Sequence, residues 1–364
     1  MQNHDRIHVI GGGIIGLLSA RELLAAGRSV VLFDRQEVGR ESSWAGGGIL
    51  SPLYPWRYPA AVNRLAAVSR AIYPEFCQRL YQNSGIDPEW VSSGLLVLDA
   101  NEREAAKNWA ESESICVEPV DALSLRSLEP ALAGRISQGL WMPQIAQVRN
   151  PRLIAALKHD LLRSGGDFRE NVAIQGFSGR AGRLQGLVTS AGDVSVKQCL
   201  VAAGAWTAGL LHALGVPLPI EPVRGQMLLF RCRPGLVRHI LLRDYHYVIP
   251  RRDGRLLVGS TLEHVGFDKT TTVEAREELQ QAALELVPAL ADCEIERHWA
   301  GLRPGSPAGI PFIGEYPGLK GLVVCAGHYR NGFALGPASA RLAVDLLLGR
   351  EPLLDPGPYR LDRG

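Results

Sequence analysis

At 364 residues, 46% of them hydrophobic and 21% charged, the chain has the length of about two globular domains and an ordinary soluble composition. A formal net charge of +2, without any run of five basic residues, supplies no general field for nucleic acid, and no apolar run approaches the roughly 20 residues of a membrane span. Six scattered cysteines with no C-x-x-C spacing fit a reduced cytoplasmic protein, and a first strand beginning close behind Met1 leaves no room for a signal peptide.

The first segment, IHVIGGGIIGLLSARELLAAGRSVVLFDR, reads strand, turn, helix, strand. Ile7 to Ile10 is a short apolar strand. A helix is predicted over Ile14 to Ala26, with apolar residues at 14, 17, 18, 24 and 25 and Gly27 at its C-terminal cap. Val30 to Phe33 is the next strand, and it ends in Asp34. Gly11, Gly13 and Gly16 match G-x-G-x-x-G. The first glycine makes a tight turn, the second lets backbone approach a pyrophosphate, and the third lets helix and strand pack closely. The helix N-terminus then presents free N–H groups to phosphate, and a carboxylate at Asp34 can accept hydrogen bonds from a ribose. This unit predicts a bound dinucleotide and leaves NAD and FAD both open. GRESSWAGGGILSP follows, with Ser42, Ser43 and glycines 46 to 48 placed where backbone amides and hydroxyls can meet a ligand. An NAD unit would normally continue into its next crossover helix instead.

The stretch from Asn171 to Trp206 alternates short β-like runs with glycine turns and closes on CLVAAGAW, a buried strand by which the chain re-enters the dinucleotide unit. RGQMLLFRC, YHYVIPRRDGRLLVGSTLEHVG and RHWAGLRPGSPAGIPFIG read as strands of a separate β-rich portion. Asp253-Gly254 is a hairpin turn between Tyr247–Pro250 and Leu256–Gly259. An amphipathic helix is predicted over Val273 to Leu290, ended near Pro288. GLVVCAGH is a last buried strand. CAGHYRNGFALGPASARL continues from it into a helix predicted over Ala338 to Leu348, with Pro337 in its first turn and Gly349 at its end. The tail from Glu351, rich in Pro and Gly, reads as loosely held. Nine histidines show no H-E-x-x-H or other ligand spacing, so no metal site is predicted. Taken alone, Arg303 reads first as a structural salt-bridging arginine and Tyr247 as a core tyrosine with its hydroxyl satisfied by backbone.

In sum of motifs the chain resembles the D-amino-acid oxidase (DAO) family of FAD enzymes, most of all its glycine-oxidase branch of the thiamine-biosynthesis type. The resemblance is carried by GGGIIGLLSARELLAAG with Asp34, SSWAGGGIL, LVAAGAW, YVIPRRDGRLLVGST, WAGLRPGSPAGIPFIG and GHYRNGFALGPASA, in order over nearly the whole chain. It implies a two-domain α/β (α+β) fold. A Rossmann-like FAD-binding domain of the glutathione-reductase/DAO type would take residues 1–85, 150–215 and 300–350. A substrate domain with a large, mostly antiparallel sheet would take residues 86–149 and 216–299, and residues 351–364 would be the tail.

Position by position, the resemblance puts the pyrophosphate against the backbone of Ile14 and Ile15, and the adenosine ribose at Asp34 and Arg35. Ser42, Ser43, Gly47, Gly48 and Ile49 would lie along the phosphates and isoalloxazine, with Val172 on the adenine side. His328, Tyr329, Arg330, Asn331, Gly332, Phe333 and Ala334 would line the flavin ring. Arg303, Tyr247 and Arg330 would hold the substrate carboxylate. A planar guanidinium grips a carboxylate bidentately and fixes the Cα–H near flavin N5. The implied reaction is hydride transfer to non-covalent FAD, with O2 reduced to H2O2 and a 2-oxo acid and ammonia released. Glycine is the first expected substrate, followed by sarcosine and D-alanine. A dehydrogenase with another electron acceptor and a non-catalytic flavin-binding subunit stand as alternatives, and a homo-oligomer, dimer or tetramer, is left open.

Overall fold

The computed structural model describes residues 6–113 and 115–363. Its smaller sheet has six strands in the order Phe312–Glu315, Leu322–Ala326, Cys199–Val201, Arg6–Ile10, Ser29–Phe33, Asp167–Arg169. All neighbours run parallel except the first pair. Parallel strands are buried on both faces, which is why these segments read as unbroken apolar runs. Ile7, Val9, Leu32, Leu200, Val323 and Cys325 join one core with the helices Ile14–Ala25, Ala60–Ser84, Asn150–Arg163 and Gly332–Leu348. Ile10, Val31, Phe33, Val201 and Val324 join the opposite core. There they meet Leu184 and Leu187 of a three-stranded antiparallel sheet formed by Ile174–Arg180, Arg183–Thr189 and Val194–Ser195.

The larger sheet has eight strands in the order Glu294–Gly305, Glu221–Arg231, Arg255–Gly259, His246–Pro250, Ile240–Arg243, Leu95–Val97, Gln138–Met142, Glu118–Asp121. Only Ile240–Arg243 and Leu95–Val97 pair in parallel. The Asp253-Gly254 hairpin forms as read, with Gly254 at φ +85° and Val248 opposite Val258. Residues alternate across this sheet as well. Leu228, Phe230, Val248 and Val258 pack on Leu279, Ala283 and Leu286 of the helix Val273–Leu286. Met227, Tyr247, Ile249 and Leu257 turn the other way, toward Leu53 and Tyr54. No helix among the described residues is long and apolar enough to cross a membrane.

Three expectations change. The helix Val273–Leu286 stops short of Leu290, because Val287, the residue before Pro288, leaves the helical region at φ −132°, ψ 88°. The last helix begins at Gly332, well before Pro337. A proline inside a helix withholds one N–H and frees the carbonyl four residues earlier. That carbonyl belongs to Phe333, and the buried Tyr73 hydroxyl donates to it at 2.7 Å, so the helix continues through the proline. The tail is docked rather than loose. Tyr359 is 1% exposed and donates to the Ala61 carbonyl at 2.8 Å, and Arg363 donates to the carbonyls of Ile310 and Pro311 while lying over the Phe312 ring. Replacing a buried aromatic of this kind costs about 3–5 kcal/mol. Tyr359→Ala is therefore expected to lower the urea midpoint strongly, whereas an unattached tail would leave it unchanged.

Candidate active site

One cavity of about 580 Å³ lies between the two sheets. At one end Gly11 sits at φ +100°, its N–H donating to the Phe33 carbonyl at 2.8 Å. A Cβ there would strike the Ala202 carbonyl, so the turn accepts only glycine. The Asp34 carboxylate accepts from the Gly12 N–H at 2.7 Å and the Gln36 N–H at 2.9 Å. Burial raises its pKa, and those two amides oppose the rise. The helix Ile14–Ala25 has no side-chain cap. Ser43 Oγ takes the Ile14 N–H at 2.9 Å, which leaves the N–H groups of Ile15 and Gly16 without intrahelical partners. The Arg35 guanidinium lies 3.6 Å from the Trp206 ring centroid, and Trp206 stacks on Phe267 at 5.4 Å.

In the middle of the cavity, the loop from Ser42 to Gly48 is held by its carbonyls. Asn150 Nδ2 donates to Ser43 O at 3.1 Å, Trp299 Nε1 to Ala45 O at 3.1 Å, Arg251 to Gly47 O at 2.7 Å and Val148 N to Gly48 O at 2.9 Å. Arg251 also donates to Gln147 Oε1 and the Val148 carbonyl, all neutral acceptors, and burial pulls its pKa down to about 10. No described residue accepts from the N–H groups of Gly47 and Gly48. Gly48 is at φ +78°, and a Cβ on it would meet Val148 O and Asn150 Oδ1. Facing this loop are His328, 2% exposed, and Asn331, 3% exposed, whose Nε2 and Nδ2 atoms have no partner among the described residues. Burial drives the His328 pKa down to about 3, so its imidazole is neutral.

The far end is cationic. Arg303 stands on Glu294–Gly305, opposite Val223 of Glu221–Arg231. One of its nitrogens donates to Ser260 Oγ at 2.7 Å, the other to the carbonyls of Thr261 at 3.1 Å and Arg224 at 3.3 Å. Gly225 leaves room for the guanidinium, since a Cβ there would fall on it. Burial lowers the Arg303 pKa, Tyr247 opposes that shift and Arg330 adds to it. Among the described residues no carboxylate pairs with Arg303 or Arg330, and Arg330 rests over the Tyr245 ring at 5.5 Å. A desolvated cation without a counter-charge is costly unless an anion arrives from outside the chain. Tyr247 completes this end, its hydroxyl 3.4 Å from Met227 Sδ.

A helix N-terminus with free amides, a glycine cradle with free N–H groups, unpartnered polar atoms opposite it and uncompensated guanidinium groups beyond form a fit for an extended dinucleotide followed by a small anion. A family profile described as FAD dependent oxidoreductase (DAO) matches residues 6–346. The chain belongs to the DAO family of FAD-dependent oxidoreductases. Glycine oxidase of Pseudomonas putida is 48% identical over 355 residues, 97% of each chain. The bifunctional protein ThiO/ThiG of Synechocystis is 34% identical over 96% of this chain and 53% of its own. The crystal structure of glycine oxidase from Geobacillus kaustophilus matches with a TM-score of 0.93 at 28% identity, covering 99% of both chains.

As in a DAO-family fold read from the sequence, the structure gathers the expected positions on one surface. Gly11, Gly13, Ile14, Ile15, Asp34, Arg35, Ser42, Ser43, Gly47, Gly48, Ile49, Val172, Tyr247, Arg303 and the run His328 to Phe333 all line the cavity. Gly16 and Ala334 do not. A Cβ on Gly16 would fall on the Gly11 carbonyl, so that glycine serves packing, and Ala334 is 2% exposed within its helix. The cavity wall also includes Asn150, Trp206, Met227, Ser260 and Phe267, which the sequence reading did not assign. Trp206 ends the quoted LVAAGAW motif and could have been found there, whereas Phe267 arrives on a loop that no local pattern connects to the site.

Two outcomes are expected. Gly225→Ala should displace the Arg303 guanidinium and raise the substrate KM by about tenfold while bound flavin, read by its absorbance, is retained. The His328 pKa lies below its unfolded value near 6.5, so the stability it contributes is complete above that pH and drains away as pH falls toward about 3. The unfolding free energy read from urea melts should fall by about 1.4 kcal/mol per pH unit between about pH 6 and pH 4 through this residue, and His328→Asn should remove that component.

Proposed function

We propose that the protein oxidises glycine to glyoxylate with FAD as cofactor and O2 as terminal acceptor, by the balance glycine + O2 + H2O giving glyoxylate, ammonia and H2O2. Sarcosine and small D-amino acids such as D-alanine are secondary substrates. The observation that carries this reading is the half-buried Arg303 guanidinium, without a carboxylate partner among the described residues, at the end of a cavity shaped for a dinucleotide. In this reading residues 1–85, 150–215 and 300–350 carry the cofactor, and residues 86–149 with 216–299 carry the substrate side.

The Ile14 and Ile15 backbone would hold the pyrophosphate, Asp34 and Arg35 the adenosine ribose, and Val172 the adenine side. Ser42, Ser43, Gly47, Gly48, Ile49 and the run from His328 to Phe333 would hold the phosphates and ring. The first turn of Gly332–Leu348, whose residues Gly332 and Phe333 line the cavity, would offer its partial positive charge to that ring, where negative charge would grow on reduction. FAD, when bound, supplies the two-electron acceptor. Cys325 is the one cysteine among the described wall residues, and its Sγ donates to Ser339 O, which favours non-covalent retention.

Arg303 and Arg330 fix the substrate carboxylate, and Tyr247 closes the space beside it. A Cβ on Gly47 would lie 3.3 Å from the Tyr247 ring, so the glycine loop packs directly on that tyrosine. His328, neutral and fully enclosed, is unsuited to cycling protons with solvent, so the ammonium proton of glycine leaves to water before the Cα–H bond breaks. All six cysteines are unpaired, which suits a reducing cytoplasm.

The test is anaerobic mixing with glycine, sarcosine, and D- and L-amino acids, followed by admission of air. Glycine should bleach the flavin bands most efficiently and air should restore them with H2O2. Bleaching by no amino acid in the panel would overturn the reading. Arg303→Ala should lose about 2–4 kcal/mol of substrate binding, seen as a large rise in KM with FAD content unchanged.

A further inference from the structure

The segment 260–272 leaves the larger sheet after Gly259 and re-enters regular structure at the helix Val273–Leu286. Its first two residues grip Arg303, through Ser260 Oγ and the Thr261 carbonyl. The remaining acceptor for that guanidinium is the Arg224 carbonyl, on the neighbouring strand. The side chains of both residues that supply these carbonyls, Arg224 and Thr261, converge on one carboxylate that does not line the cavity. Glu263 Oε1 accepts from Thr261 Oγ1 at 2.5 Å and from Gln226 Nε2 at 3.0 Å. Its Oε2 accepts from Arg224 Nε at 3.1 Å and from the terminal nitrogen at 2.5 Å. The backbones of 224 and 263 also exchange both hydrogen bonds, at 2.9 and 3.0 Å. Burial raises the Glu263 pKa, but Arg224, Thr261 and Gln226 together hold it below the usual carboxylate value, so it is charged in this network.

The charge assignment has a consequence for Arg303. Arg224 is 4% exposed and finds its counter-charges in Glu263 and in Asp268 at 2.7 Å. Satisfied in this way, it offers only its carbonyl to Arg303, and neither carboxylate reaches across to neutralise the Arg303 fork. A bidentate grip on a carboxylate requires the fork to be held within about 0.5 Å and 10–20°. The Arg224 carbonyl accepts from the Glu263 backbone N–H, and the Glu263 carboxylate holds the side chains of Arg224 and Thr261, the two residues whose carbonyls meet the fork.

We propose that Glu263 is a positioning residue for the carboxylate-binding fork of Arg303, acting through Arg224 and Thr261 and touching neither substrate nor flavin. The proposal rests on the reading of Arg303 as the substrate anchor. It is tested on the FAD-loaded Glu263→Ala and Glu263→Gln enzymes beside Arg303→Ala. The readouts are glycine kcat and KM, flavin absorbance for cofactor content, and titration with acetate as an unreactive carboxylate probe. Glu263→Ala should raise the glycine KM and weaken acetate by about tenfold, with kcat within about twofold and FAD content unchanged. Glu263→Gln, which keeps one carbonyl oxygen for Thr261 and Gln226, should show a smaller rise in the same direction, and it decides the matter should the alanine variant fail to fold. Unchanged KM and acetate binding in the Glu263 variants, while Arg303→Ala weakens both, overturns this proposal alone. Arg303→Ala without effect on either removes the substrate reading and this proposal with it. A parallel loss of kcat, FAD and thermal stability, with no selective rise in KM, assigns Glu263 a purely structural role and also overturns it.

Discussion

A guanidinium half-buried in the cavity wall and opposed by no carboxylate among the described residues is the constraint around which the ligand-binding half of this molecule is arranged. Arg303 can exist there because neutral acceptors, one hydroxyl and two carbonyls, take its N–H groups without cancelling its charge. The two carboxylates nearest in the chain's design, Glu263 and Asp268, are occupied by a second arginine. Gly225 supplies the remaining requirement, empty volume on the facing strand. A long antiparallel ribbon, Glu221–Arg231 with Glu294–Gly305, holds all of these in one register. Preorganised positive charge in a desolvated place is worth far more to an incoming anion than the same charge in water.

The same economy of neutral partners recurs beside the glycine loop. Arg251 grips the Gly47 carbonyl, Gln147 and the Val148 carbonyl, and a pKa drawn down to about 10 still leaves it cationic at neutral pH. The carbonyls of Ser43, Ala45, Gly47 and Gly48 are taken by donors from outside the loop, and the amides of Gly47 and Gly48 are left for whatever lies in the cavity. The Gly48 position, at φ +78° and wedged against Val148 and Asn150, admits no side chain. A run of three glycines in the sequence is thus explained by two separate needs, a left-handed backbone and a close approach.

Much of this was legible in the sequence because the responsible physics is local. The turn at Gly11, the helix behind it, the acid at Asp34 and the hairpin at Asp253-Gly254 follow from spacing and backbone preference within short windows. The parts that misled depend on partners distant in the chain. Pro337 reads as a helix start until the Tyr73 hydroxyl is known to satisfy the carbonyl it frees. The Pro- and Gly-rich tail reads as unattached until Tyr359 finds Ala61 and Arg363 finds Ile310 and Pro311. Phe267 and Glu263 sit in a segment with no periodicity, and only tertiary placement brings one against Trp206 and the other behind Arg303. The assignments at Arg303, Tyr247 and Arg330 came from family resemblance, since residue type alone left them as ordinary core or surface groups.

The bond between Tyr73 and Phe333 spans 260 positions of the chain. It carries a consequence for the order of events during synthesis. The turn at Gly11 lies within the first few dozen residues, whereas the strand Leu322–Ala326 and the helix Gly332–Leu348, whose first residues line the same cavity, come last in the chain. A chain that stops short of Leu322 lacks one wall of that cavity, so a truncated product cannot enclose what the full chain encloses.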